Sequence, residues 1–174
     1  MSDNNGGEPE PEAVNFAWHV HDSIGDWTAK VDIKASIVLA LEGALLGFVI
    51  TLSDQSGPLA HLSQAALNLD RAGLVCLSLS VLLAAAVVFP QLSRWNSRTS
   101  WQKGFVYFGH LKRWEADALR THLAKLDDGA QLSALSKQLV VTSKVAWRKH
   151  SLLQASMVFL MASAVLLLLC DLYK

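Results

Sequence analysis

WTAKVDIKASIVLALEGALLGFVITL, Trp27–Leu52, is the stretch that decides the fold. It passes from a charged, amphipathic segment into an apolar one with no proline or turn signal between them. Ala35–Leu52 is 18 residues long, and Glu42 is its only charge. As α-helix such a run measures about 27 Å, close to a hydrocarbon core of about 30 Å. The chain therefore enters a membrane here. Upstream, Ala17, Val20, Ile24, Trp27 and Val31 recur at spacings of three and four and form one apolar stripe, with Asp22, Asp26 and Lys30 off it. One helix is predicted from about Glu12 to Leu52, with 13–34 as its amphipathic part and 35–52 as the first span. Residues 1–12, rich in Gly, Pro and acid, bury too little apolar surface to order themselves and are predicted to be a disordered tail.

Downstream, 53–71 reads as a polar connection broken at Gly57-Pro58. A second apolar run, Ala72–Phe89, carries no charge and is closed by Pro90, so 72–90 is the second span. The third, Leu152–Cys170, has 19 residues and again no charge. Three such runs in 174 residues predict an all-α integral membrane protein with three transmembrane helices. The zero net charge conceals an asymmetry. Arg94–Ser151 holds eleven Lys and Arg against four acids, a local charge of +7, whereas 53–71 holds only Arg71 among basic residues. Basic loops stay on the cytoplasmic side. The N-terminus and 91–151 are thus expected to be cytoplasmic, with the 53–71 loop and the 171–174 tail outside. All six tryptophans fall on that inner side, and Trp95 and Trp147 flank spans directly, where an amphipathic ring suits the head-group layer.

The basic segment divides into two helices. Trp101–Leu126 places Phe108, Leu111, Ala118 or Leu119, Leu123 and Leu126 on one face. Asp127-Asp128-Gly129 is predicted to turn the chain. From Ala130 no breaker precedes the third span, which predicts one helix of more than 40 residues, roughly 60 Å long. The two helices are expected to pair as a hairpin continuous with the third span, with the amphipathic N-terminal helix as third partner.

No catalytic constellation is visible, and no enzyme is expected. There is no phosphate loop and no Gly-x-Ser-x-Gly. His19 and His21 resemble a metal pair, but residues two apart on a helix point to different sides, and no metal or cofactor site is expected. Cys76 and Cys170 lie in apolar runs and read as packing residues. Glu42 is the ionisable residue placed in mid-span, hence either a functional group or a hydrogen-bonded packing residue. Gly43 and Gly47 beside it permit close helix approach, within the chain or between copies, and with Glu42 suggest a packing face around a pore. The basic excess has two readings as well: attraction to anionic lipid, or an anionic ligand. For the second, Arg94, Trp95, Arg98, Lys144, Arg148 and Lys149 gather beneath the membrane with Trp147, combining cations for phosphate with rings for stacking. Nucleic acid is not expected, because the patch is short and held against lipid.

Three motifs occur in order around these spans. They are Trp27-x-x-x-Val31-Asp32-x-Lys34-Ala35-Ser36, then Phe105-Val106-Tyr107-Phe108-Gly109-His110, then Ser143-Lys144 with Lys149. In this the chain resembles the transmembrane effector family of the Pycsar antiphage systems, over about Ala13–Leu169. The resemblance implies that a partner cyclase makes cyclic CMP or cyclic UMP on infection, that the effector senses it, and that inner-membrane integrity is lost before the phage matures. It implies no particular nucleotide-binding residue. A homo-oligomer is expected, since three helices alone enclose no useful channel. Two other readings stand beside it: a small membrane scaffold that binds a protein partner through its cytoplasmic hairpin, and an ion-coupled carrier using Glu42, although carriers usually carry internal repeats, which are not seen.

Overall fold

A computed structural model describes residues 11–52, 63–89, 106 and 108–173. Five helices follow in order: α1 (Pro11–Leu52), α2 (Gln64–Val88), α3 (Phe108–Leu111), α4 (Ala116–Ala124) and α5 (Asp128–Leu172). No strand occurs among the described residues. Three of the helices, α1, α2 and α5, are long and apolar enough to cross a membrane, so the protein is an all-α membrane protein.

The helix starts follow local chemistry. α1 opens on Pro11 with Glu12 in its first turn, where a missing N–H costs nothing and a negative charge meets the helix dipole. Gln64–Arg71, which hydropathy alone assigned to a loop, forms the first two turns of α2. Ser63 makes this possible: its Oγ accepts from Ala66 N at 3.3 Å, the usual N-cap bond. α5 begins at Asp128 because Asp127 Oδ1 accepts from Ala130 N at 2.6 Å. Asp127-Asp128-Gly129 is thus a capped helix start rather than a separate turn, and α5 then runs 45 residues without a break.

The predicted continuous helix over Trp101–Leu126 is not what forms in its described part. α3 ends at Leu111, Arg113 N and Trp114 N bond to His110 O and Leu111 O, and Glu115 is extended before α4 begins. The break brings two rings together. Trp114 and His122 lie with centroids 5.0 Å apart, whereas residues eight apart on one helix are separated by about 12 Å along its axis.

The described residues form two compact units, one drawn from within 1–27 and 91–146, the other from within 28–90 and 147–174. In the first, Val14 and Ala17 of α1 and Leu135 of α5 form the buried centre, with Val106, Leu132 and Leu139 against it. The N-terminal amphipathic helix is therefore the core partner of α5 here, and α4 buries none of its residues. Leu135 is 0% exposed. Leu135→Ala is expected to cost this unit about 2–5 kcal/mol, read as a lower unfolding midpoint in detergent micelles by circular dichroism.

In the second unit each long helix buries one narrow stripe at intervals of seven. α1 buries Ala35, Glu42 and Val49; α2 buries Ala66, Gly73, Ser80 and Val87; α5 buries Lys149, Ser156, Ser163 and Cys170. On α2, Asp70, Leu77 and Ala84 complete an alternating four–three pattern. A seven-residue period keeps one seam facing its neighbours if the helices coil left-handedly, and small residues let backbones approach. Ala35, Val87 and Leu153 form one apolar layer of this core. The outward surface is the reverse: Ile37, Leu41, Phe48, Leu82, Met161 and Leu168 are all exposed. Only 17%, 28% and 17% of the apolar windows of α1, α2 and α5 are buried within the chain. Lipid is the medium that covers the remainder without cost.

Candidate functional site

Two polar nodes lie on the inward stripes of the second unit. The first is built by one residue from each span. Glu42 of α1 is 1% exposed, and Ser80 of α2 and Ser156 of α5 are fully buried. Ser80 Oγ shares its proton between Glu42 Oε1 and the Ser156 carbonyl, 2.7 Å away. Ser156 Oγ donates to the same Glu42 oxygen at 3.0 Å. Glu42 Oε2 is buried and has no hydrogen-bond partner among the described residues. The carboxyl that hydropathy isolated in mid-span is therefore held by hydroxyls from both other spans. Along the same seam Ser163 Oγ donates to Gly73 O at 2.9 Å and Cys170 Sγ to Ala66 O at 3.3 Å. Neither cysteine forms a disulfide.

The second node joins two sequence motifs. Lys149 Nζ meets Asp32 Oδ1 at 2.6 Å and Oδ2 at 2.8 Å, across 117 residues of chain. The two partners are unequally solvated, with the lysine side chain 10% and the aspartate side chain 40% exposed. A bidentate, charge-assisted bond of this length is among the stronger polar contacts a protein makes.

The remaining residues named from sequence are distributed as follows. Lys144 and Arg148 are exposed on α5; four apart, they share a helix side that Lys149, committed to Asp32, does not. Arg94, Trp95 and Arg98 lie outside the described residues. Trp147 is 74% exposed and Trp27 62% exposed. Lys34 is exposed, Phe108 opens α3, and Gly109 is buried within it. His19 is exposed, whereas the His21 ring stands edge-on to Trp18, centroids 5.8 Å apart. Among the described residues no three His, Cys, Asp or Glu side chains gather as a metal site.

The glycines separate cleanly. A Cβ built on Gly73 would lie 2.9 Å from Leu167 Cδ2, while Gly43 and Gly47 have nothing within 4 Å. The close helix approach inside the chain is thus at Gly73, and the Gly43–Gly47 face looks outward. Gly73→Leu is expected to destabilise the three-span unit by about 1–3 kcal/mol through overpacking. Gly43→Leu and Gly47→Leu should leave its thermal midpoint in detergent unchanged.

Sequence reasoning missed Ser80, Ser156, Ser163 and the Asp32–Lys149 pairing. The seven-residue recurrence of Lys149, Ser156, Ser163 and Cys170 within an otherwise large-residue run was the available signal.

Comparison with known proteins gives one result. No curated protein and no solved structure matches the chain. The family model of the Pycsar effector protein domain matches residues 16–173. That span includes the whole of α2 to α5, all but the first five residues of α1, and both polar nodes. The chain thus belongs to the Pycsar effector family, membrane proteins of antiphage defence.

Proposed function

We propose that this effector senses a cyclic pyrimidine nucleotide, cyclic UMP or cyclic CMP, made by a partner cyclase on phage infection, and that it then impairs the inner membrane so that the infected cell dies. Membership of the effector family across residues 16–173 carries the reading. Three membrane-spanning helices support the membrane as its target. The basic stretch Arg94–Ser151 supports an anionic messenger arriving from the cytoplasm, where the positive-inside rule would place it. On this reading Lys144 and Arg148, with Arg94, Trp95 and Arg98, receive the phosphate and base. Lys149 joins them only by exchanging its Asp32 partner. The ligand shifts the protein toward its damaging state by as much as it binds that state better. The open Gly43–Gly47 face supports assembly with further copies.

The test is dye release from liposomes carrying the purified full chain, with cyclic UMP, CMP, AMP and GMP added separately. One cyclic pyrimidine nucleotide should release dye and the cyclic purines should not. The absence of release with either pyrimidine would falsify the reading. Lys144→Ala with Arg148→Ala should raise the half-effective nucleotide concentration by about tenfold or more, the loss expected for one charge-assisted hydrogen bond, without moving the thermal midpoint.

A further inference from the structure

A protein that lets water through a bilayer must present polar groups over its whole depth, because isolated stretches of hydrocarbon-facing side chain give water no partners. The outer surface of the three spans presents no such line. Its exposed large side chains are apolar apart from the single Gln154 on α5, and the hydroxyls of Ser36, Ser78 and Thr51 are turned onto carbonyls of their own helix. The inner seam does present one. Lys149, Ser156, Ser163 and Cys170 recur at intervals of seven on one face of α5, and from the first to the last is about 31 Å of helix, the depth of a hydrocarbon core of about 30 Å. Across from them stand Asp32, Glu42 with Ser80, and the carbonyls of Gly73 and Ala66. Glu42 Oε2, buried and without a hydrogen-bond partner among the described residues, is a polar atom placed in this seam for which the closed bundle provides nothing.

We propose that the groups now sealed inside the three-span unit, Glu42, Ser80, Ser156, Ser163 and Cys170, line the water path of the activated protein. The inference rests on the membrane-impairing role proposed above and specifies which surface carries it out. In the closed unit the path is shut, because Leu77, Ala84 and Val87, all 0% exposed, fill the levels between the polar groups. Activation therefore parts α1, α2 and α5 from one another and turns their inward stripes to water. Closed chains that merely gathered side by side would surround a lining of Ile, Leu, Phe and Met instead.

Cys170, 2% exposed, is a built-in reporter once Cys76→Ser removes the other thiol. The full chain is reconstituted in dye-loaded liposomes and treated with a charged, membrane-impermeant methanethiosulfonate, with and without cyclic UMP or cyclic CMP. When dye release begins, the modification rate of Cys170 is expected to rise by at least about tenfold, following the population of the open form. In chains with Cys170→Ser added, Ser163→Cys, one step deeper along the seam, should behave alike, and Met161→Cys on the outer surface should not change. The Cys170 measurement itself needs only Cys76→Ser, so a folding defect in the Ser163 variant does not remove the test. Dye release with Cys170 and the Ser163 variant still unreactive overturns the inference and leaves the membrane role standing. Reaction of the Met161 variant alone also overturns it. No dye release with either nucleotide overturns the role and the inference together.

Discussion

Removing both hydroxyls that hold Glu42, by Ser80→Ala with Ser156→Ala, should destabilise the three-span unit by about 2–4 kcal/mol, the cost of an ionisable side chain left unpaired in an apolar interior. Glu42→Gln should cost far less. The amide keeps an oxygen where Oε1 accepts from Ser80 and Ser156, and interhelical hydrogen bonds of this kind contribute only about 0.6–2 kcal/mol each. The serine changes are small in volume, so a cavity does not explain the difference. The controlling comparison is the triple variant with Glu42→Leu added, in which the unpaired group is gone. It should recover most of the lost stability, since apolar replacement of a whole buried polar cluster is often neutral or stabilising. Thermal unfolding of the four proteins in one detergent measures all of this. A triple variant no better than the double one would show that the serines pack rather than hold the carboxyl.

The Asp32–Lys149 pair should respond asymmetrically, and exposure sets the direction. Asp32→Ala leaves an ammonium that is 10% exposed; Lys149→Ala leaves a carboxylate that is 40% exposed and already partly in water. The first should therefore cost about 2–4 kcal/mol, less than a fully buried unpaired charge because some solvent reaches the site, and the second about 1 kcal/mol. The exchange Asp32→Lys with Lys149→Asp should regain part of the loss, which a purely steric role for either residue would not allow. A double-mutant cycle in thermal unfolding gives the coupling directly. If Lys149 exchanges partners during activation, Asp32→Asn should also lower the nucleotide concentration needed for dye release. Equal costs for the two alanine variants would contradict the solvation argument.

Much of this protein was legible from its sequence, for one reason. Lipid imposes a length and an absence of charge on whatever crosses it, and both are properties of a linear string. Ala35–Leu52, Ala72–Phe89 and Leu152–Cys170 satisfy those conditions without reference to any neighbour, as does the unbroken approach of α5 to its span. Of the helical stripe Ala17, Val20, Ile24, Trp27 and Val31, Ala17 and Ile24 are buried, whereas Trp27 is 62% exposed and Val14, outside the stripe, joins the core. Hydropathy does not show which side of a span turns inward, because inside a span it has almost no amplitude; only the seven-residue recurrence of small and polar residues on α5 marked that side. Tertiary structure alone decided that Glu42 meets Ser80 and Ser156, that Asp32 meets Lys149, that Gly73 and not Gly43 or Gly47 is the tight helix crossing, and that the chain breaks before α4 with Trp114 against His122. Each of these joins residues far apart in sequence or overrides a local preference. The two polar nodes are settled by one physical demand, that a polar group withdrawn from water must find its partner in another part of the chain, and the Gly73 crossing by the space its neighbour Leu167 leaves.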